Sequence, residues 1–306
     1  MSIAKILLCL DTDPQPSVFD GVVAVDAGVD QLFRHGSVTP EVVRDLVYGA
    51  MFTRGPADLK NTAVFIGGSD VEAGEELLAK AKECFFGPMR VSLMLDSNGA
   101  NTTAAAAVLS AKKHLEPSCS GRKSAAVEKG QGEGALAGIT ATVLAATGAV
   151  GRRVVRLLAR EGAAVHVASR QLKRAQQVCD TVRKSCVDAD LTPFETRDEA
   201  TTRSAIDDAS VVFAAGAPGV ELLPANLRQV CKFLKVAIDL NAVPPTGIGG
   251  INPQDKAADH DGQICYGAIG VGGLKMKLHK AAIRRLFESN DAVLDAEEIY
   301  ALGTQI

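Results

Sequence analysis

Residues 139–151, ITATVLAATGAVG, pass from an apolar, β-rich stretch into a turn of small residues that opens a helix. A turn of that composition can hold the pyrophosphate of a dinucleotide. Gly148 lets the backbone approach the phosphates, and Gly151 lets the helix pack close to the strand. The free N–H groups of Thr147, Ala149 and Val150, with the positive end of the helix dipole, attract the anion. Ala146 stands at the first glycine position of G-x-G-x-x-G, so the turn there needs a negative φ or mild strain. Val150, Val154, Leu157 and Leu158 give the following helix a buried stripe. The next strand ends in Ser169-Arg170, where an acidic residue often binds the ribose 2′-OH of NAD. Arg170, with Lys173 and Arg174 close by, instead favours a 2′-phosphate. NADP is the favoured cofactor and NAD a possible one. The plainer alternative is a crossover that binds nothing, with Arg170 a solvated cation.

Further chemistry sits near the end of the chain, where GAIGVGG at 267–273 leads into LKMKLHKAAIRRLFE. Leu274, Leu278, Ala281, Ala282 and Leu286 mark the buried face of a helix, and Lys275 and His279, four apart, share an adjacent face. A cation and an imidazole just after a glycine-rich turn can reach into a cleft; Lys280, Arg284 and Arg285 read as solvated surface charge.

The elements that position these groups follow an α/β pattern. Strand-like runs at 4–10, 62–67 and 90–95 alternate with helical patterns near 41–51, 70–85 and 101–114. The second half reads as strand 139–146, helix 149–161, strand 164–169, helix 171–187, strand 192–196, helix 198–207, and strands 210–215 and 235–240. That order predicts a Rossmann-type, doubly wound parallel sheet. Two α/β domains with a cleft between them are expected: 1–116 plus 274–306 for the substrate, and 135–273 for the nucleotide. The segment 117–134, rich in Gly, Ser and Lys, reads as a flexible linker. Ligands of such sheets collect beyond the carboxyl ends of the strands, so Ala215 and Gly216 in one loop and Asn241 in another are candidates to border the ribose and nicotinamide; simple turn chemistry is the alternative for each.

Composition narrows the partners. The 306 residues, 47% hydrophobic, suffice for two cores, and no window nears the ~18 uninterrupted apolar residues of a membrane helix. The N-terminal apolar run is followed at once by Asp11 and Asp13 and reads as a first strand, not a leader. Seven cysteines without a C-x-x-C pair suit reduced thiols in a cytoplasm, and no zinc-ligand grouping with the five histidines is visible, so no metal is expected. A net charge of -3, 4% aromatic content and no tryptophan give no basis for nucleic-acid or membrane binding.

Several longer motifs are unrelated to generic nucleotide binding: LDTDPQPSVFD at 10–20, VTPE at 38–41, FTRG at 52–55, FFGPMRVSLMLDSNGANTTAAA at 85–106, DLNAVPPTGIGGI at 239–251, GAIGVGGLKMKLH at 267–279, and LFES with DAEEIY near the end. Over nearly the whole chain these resemble the NAD(P)-dependent methylene-tetrahydromethanopterin dehydrogenases of methylotrophic bacteria. Two features depart from the family: Ala146 replaces its turn glycine, and 117–134 is longer than its usual connection. The resemblance implies a cytoplasmic enzyme of one-carbon metabolism that oxidises a methylene-tetrahydropterin, and in some relatives methylene-tetrahydrofolate, to the methenyl form. It also implies a homo-oligomer, trimer or hexamer.

Removing hydride from a carbon flanked by two nitrogens leaves a delocalised amidinium, so no general base is needed. The site must hold the reacting carbon at ~3–3.5 Å from its acceptor and exclude water. On this reading Asp20 is the carboxylate that favours the growing cation. Asp96, Ser97, Asn98 and Thr102 supply donors and acceptors to the pterin edge, unless Asp96-Ser97-Asn98 is an Asx-type turn capping the next helix. Lys275, in LKMKLH, matches the family stretch and binds a pterin carbonyl or an anionic tail; Lys277 and His279 are weaker substrate-binding candidates. A shikimate-dehydrogenase-like oxidoreductase would need a Lys–Asp pair, which is not apparent at first-domain spacing. A nucleotide-sensing module without turnover is the non-enzymatic alternative.

Overall fold

The computed structural model describes residues 3–115 and 134–306. The expected linker at 117–134 therefore lies, except for Gly134, outside the described residues, as does Cys119. The chain divides into two compact units, Met1–Thr103 with Lys275–Ile306, and Ala104–Leu274.

In chain order the elements begin with β1 (Ile6–Asp11), α1 (Val18–Asp26), β2 (Gln31–His35), α2 (Pro40–Met51), β3 (Thr62–Gly67), α3 (Val71–Glu83), β4 (Ser92–Leu95) and α4 (Ala100–Lys112). Next come β5 (Thr140–Leu144), α5 (Ala149–Arg160), β6 (Ala164–Ser169), α6 (Leu172–Arg183), β7 (Leu191–Glu195), α7 (Glu199–Ile206), β8 (Val211–Ala214), α8 (Ala225–Gln229) and β9 (Val236–Asp239). The chain ends with β10 (Lys256–His260), β11 (Gln263–Tyr266), α9 (Ala268–Arg285), β12 (Val293–Leu294) and α10 (Ala296–Gly303).

The first unit carries a five-stranded sheet ordered β12-β4-β3-β1-β2, every neighbour parallel. β3 and β4 are buried along their whole length, which is why their sequences run apolar without alternation: both faces of a parallel sheet are covered. The sequence reading missed α1 and β2. Val18, Phe19, Val22 and Val25 of α1 are exposed, so its apolar residues mark no single buried face. β2 is an edge strand with no fully buried residue.

The second unit has seven strands ordered β10-β11-β9-β8-β5-β6-β7, parallel except for the β10–β11 pair. From β5 the chain winds outward to β6 and β7, then returns to β8 on the other side of β5. That reversal opens the carboxyl edge of β5, where doubly wound sheets bind ligands. α8, β10 and β11 were not anticipated; α8 has five residues and β10 is largely exposed.

The turn after β5 resolves the question posed by Ala146. The left-handed conformation falls one residue earlier, on Ala145 at φ 55°, and Ala146 is outside that region. Gly151 is sterically required. A Cβ there would lie 2.8 Å from the Ala145 carbonyl oxygen and 2.8 Å from Ala146 Cα, both backbone atoms. α9 differs from expectation: it begins at Ala268, so Gly270, Gly272 and Gly273 of the expected turn lie inside the helix. Gly270 is needed there because a Cβ would strike the Asp255 carbonyl.

Gly151→Ala is expected to lower stability by about 1–3 kcal/mol, since neither backbone atom can yield without moving α5 off the sheet. Urea unfolding followed by circular dichroism measures this as a lower midpoint at unchanged slope.

Candidate functional site

In the first unit the carboxyl ends of β1, β3 and β4 gather the polar residues. Asp11, at the end of β1, accepts the backbone N–H groups of Asp13 and Ser17. Ser17 then caps α1, its Oγ accepting the Asp20 N–H at 3.2 Å. Asp20 thus sits in the first helical turn, where the helix dipole favours a negative charge. Gly68, at φ 94°, follows β3 at a point where a Cβ would strike Thr12. Its carbonyl accepts the N–H of Asn98, itself left-handed at φ 53°.

Asp96 is fully buried beyond β4. Its Oδ1 accepts the backbone N–H groups of Asn101 and Thr102 at 2.9 and 3.0 Å, and its Oδ2 accepts the Thr102 hydroxyl at 2.7 Å. The capping alternative is therefore the correct one for Asp96: it satisfies the first turn of α4 and is not free to read a ligand. Thr102 is spent on the same bond, and Ser97 donates to the Gly67 carbonyl. Of the residues assigned to the pterin edge, Asn98 alone joins Asp20 at open space.

That space is a cavity of about 310 Å³ in which Asp20, Phe19, Asn98 and Lys275 meet Asp13, Ser17, Gly68, Ser69 and Gly99. The Lys275 ammonium lies 5.6 Å from the Phe19 ring centroid, within cation–π range. Gly99, at φ 59°, leaves room for it; a Cβ there would occupy the position of Lys275 Nζ. Asp20 and Lys275 form the Lys–Asp combination not apparent from spacing, because 254 intervening residues separate partners that the fold brings together. Ser17, Phe19, Gly68 and Ser69 were missed; the Gly67-Gly68 pair at a strand end was the available signal.

One helical turn beyond Lys275, His279 is 1% exposed. Its ring stacks on Phe65 at 5.6 Å between centroids. Nε2 is 4.0 Å from Asp20 Oδ1 and Nδ1 is 3.9 Å from Asp96 Oδ2, and neither nitrogen has a hydrogen-bond partner. Burial pushes the imidazole down to about 4, opposed by Asp20 and assisted by the Lys275 ammonium. Burial likewise raises Asp20, against His279. Asp96 is raised to about 6 by burial, against its hydrogen bonds from Thr102. Burial thus favours the uncharged ring between the two carboxyl groups. Lys277 is exposed; it lies two residues from both Lys275 and His279, which turns it some 200° away from their face. It does not line the pocket.

In the second unit Gly148 caps α5 with extended backbone and no side chain over the helix end, and a Cβ there would touch only carbonyl oxygens at 3.6 and 3.7 Å. Thr147 lines a cavity of about 250 Å³ with Arg152, Arg174, Gln177, Val178 and Thr181. Arg174 thus stands beside the turn. Arg170 and Lys173 are exposed and do not line that cavity, and Ser169 is buried with its Oγ facing the Gln171 N–H. Ala215 and Gly216 are half-buried after β8. The Asn241 amide holds its own loop: Nδ2 donates to the Pro245 carbonyl and Oδ1 accepts the Val243 N–H. Among the described residues no group of three or more His, Cys, Asp or Glu is placed to hold a metal ion, and no helix is long and apolar enough to cross a membrane.

Comparison with known proteins accords with this arrangement. Residues 18–98 match the N-terminal domain of methylene-tetrahydromethanopterin dehydrogenase, and residues 145–242 match an NAD(P)H-binding family. "Bifunctional protein MdtA" of Methylorubrum extorquens AM1 is 46% identical over 302 residues, 99% of each chain. The chain belongs to the methylene-tetrahydromethanopterin dehydrogenase family. The NAD(P)-dependent methylenetetrahydromethanopterin dehydrogenase of the same organism is 30% identical, over 95% of this chain and 94% of that protein. As a member of this family the chain is a hydride-transferring oxidoreductase that uses a nicotinamide nucleotide. Shikimate 5-dehydrogenase from Listeria monocytogenes, 14% identical with a TM-score of 0.52, covers 98% of this dehydrogenase and is itself covered to 96%. Quinate dehydrogenase from Corynebacterium glutamicum, 12% identical, has a TM-score of 0.50 and 99% coverage of both chains. These two show the fold alone.

Asp96 generates a pH test. Its folded value of about 6 lies above the ordinary 3.8, so the stability it contributes is present below about 3.8 and is lost as pH rises through about 6. Asp96→Asn keeps a capping oxygen and removes the titration. Relative to wild type, its melting temperature should be more favourable at about pH 7.5 than at about pH 5. Thermal melts at both pH values check this, and the opposite ordering would contradict the assignment.

Proposed function

We propose that this dehydrogenase oxidises methylene-tetrahydromethanopterin to the methenyl form, with NADP favoured over NAD, and that Asp20 and Lys275 are its catalytic residues. What supports the reading most is the single pocket that presents a carboxylate, a lysine and an aromatic face at the carboxyl edge of the first sheet. The reaction asks for no more than that. Loss of hydride creates an amidinium cation on the substrate, and the Asp20 carboxylate stabilises that charge as it grows. Lys275 binds a carbonyl or anionic group away from the reacting carbon, because an ammonium beside the new cation would oppose it. Phe19 gives the ring an apolar face and helps exclude water, and Asn98 offers an amide to its polar edge.

The nucleotide site fits its ligand by the same physics. The uncapped first turn of α5 and the open Gly148 backbone would receive the pyrophosphate. Arg174, Arg152 and Thr147 would hold the 2′-phosphate, with Arg170 and Lys173 adding positive charge at the rim. Ala215 and Gly216 leave small side chains beside the turn. The nicotinamide, when bound, supplies the hydride acceptor. From the family resemblance the reading also includes a cytoplasmic homo-oligomer.

The direct test is the rise of NADPH absorbance when tetrahydromethanopterin, formaldehyde and NADP are mixed with the protein; no rise with either NADP or NAD would overturn the reading. Running the assay with tetrahydrofolate sets the carrier preference. Lys275→Ala is expected to lower kcat/KM for the pterin by about 10²–10³ while leaving nucleotide affinity within about twofold. Arg174→Ala is expected to raise KM for NADP about tenfold, the loss of a charged hydrogen bond, with little change for NAD. Steady-state kinetics with each nucleotide would read both effects.

A further inference from the structure

His279 lies beside the first-unit pocket, yet the hydride transfer does not use it directly. It is buried, stacked and aromatic, yet both its polar atoms lack partners. A core position filled for packing alone would suit Phe or Leu, since an unsatisfied buried polar group costs about 1–3 kcal/mol. Its surroundings contain three charged groups: Asp20 on α1, Asp96 just beyond β4, and Lys275 one turn earlier on its own helix α9. Phe65 of β3 and Phe19 of α1 enclose the ring at 5.6 and 6.3 Å. The ring thus stands between the carboxylate that faces the pocket and the carboxylate that caps α4. The two gaps, 4.0 and 3.9 Å, are about 1 Å beyond hydrogen-bond length. In unliganded enzymes catalytic hydrogen bonds are often long and tighten only when substrate binds.

We propose that His279 is a positioning residue for hydride transfer: as a neutral imidazole it donates from Nε2 to Asp20, turning that carboxylate toward the substrate, while Nδ1 faces Asp96. The inference rests on the reading of Asp20 given above. The imidazole transfers no proton to the substrate, because the reacting carbon loses only hydride. Its role is to hold one acceptor in one orientation; the stack on Phe65 holds the ring, since Nδ1 carries no proton to give to Asp96. A neutral ring suits this role, because an imidazolium beside Asp20 would cancel the negative charge that the amidinium requires. Burial and the Lys275 ammonium both keep the ring neutral, and the stacking on Phe65 fixes its plane.

The test combines spectroscopy of the wild-type enzyme with two variants. In protein labelled with ¹⁵N-histidine, the resonance lost in His279→Gln identifies the residue. The expected signature at neutral pH is a neutral ring protonated on Nε2 that persists to about pH 5. His279→Ala should lower kcat about 10–100-fold, with pterin KM and nucleotide affinity little changed, and should move the acid limb of the pH–rate profile upward as Asp20 loses its donor. His279→Gln, whose amide both donates and accepts, should recover kcat to within about fivefold of wild type and restore the limb. An imidazolium at pH 7, an alanine variant with wild-type kcat and an unshifted limb, or a glutamine variant as impaired as alanine would each overturn the proposal. If both variants fail to fold, replacing each of the other four histidines by Gln in turn assigns the remaining resonance to His279 by elimination, and the wild-type spectrum still decides. A wild-type enzyme inactive on methylene-tetrahydromethanopterin would overturn the functional reading instead, and the ring's protonation state would be measured regardless.

Discussion

A carboxylate removed from water survives only where the chain surrounds it with donors, and Asp96 shows what that requires. Three hydrogen bonds from the first turn of α4 converge on its two oxygens. Those bonds fix where α4 starts relative to β4, and with it the left-handed Asn98 and Gly99 that border the pocket. They also decide which residues remain available for a ligand. Ser97 and Thr102 are committed to the architecture, which leaves Asp20, Asn98 and Lys275 to face open space. The same burial that makes Asp96 costly keeps His279 uncharged, so the electrostatics of the pocket follow from how a helix is capped.

The second unit meets a related constraint with backbone alone. A helix that begins directly against a strand end leaves its first N–H groups without partners, and no side chain caps α5. What keeps that end open is the absence of atoms: no Cβ at Gly148 to cover it, none at Gly151 to push the helix off β5. Ala146 is compatible with this because the left-handed residue has moved to Ala145. A small side chain tolerates that conformation at a modest penalty, whereas a β-branched one would not. The glycine consensus is thus one solution to a geometric requirement.

The sequence was legible where one buried face imposes a period or an apolar run. β1, β3, β4 and the elements from β5 to β9 other than α8 are legible for that reason, and the turn at 145–151 because its steric demands are local. α1 and β2 escaped because α1 exposes Val18, Val22 and Val25 and β2 is an edge strand. Glycines 270, 272 and 273 read as a turn in the sequence, yet they lie within α9, where at least Gly270 answers to a neighbouring carbonyl from outside the helix. Site residues divided in the same way. The i, i+4 spacing of Lys275 and His279 put them on one face, while no local rule could show that Asp20 would join them or that the Asn241 amide would be spent on its own loop.

That division explains why the charges of the first site come from opposite ends of the chain. A single helix carrying Asp20, Lys275 and His279 together would neutralise its own groups before any substrate arrived. Splitting them between α1 and α9 lets each be held by its own element: Asp20 by the dipole and cap of α1, Lys275 by the Phe19 ring and the space at Gly99, His279 by the stack on Phe65. The carboxylate and the ammonium therefore line one cavity, each with charge to offer a ligand. A reaction that turns a neutral heterocycle into a cation needs that separation, since negative charge must be near the reacting carbon and positive charge must stay at the substrate's periphery.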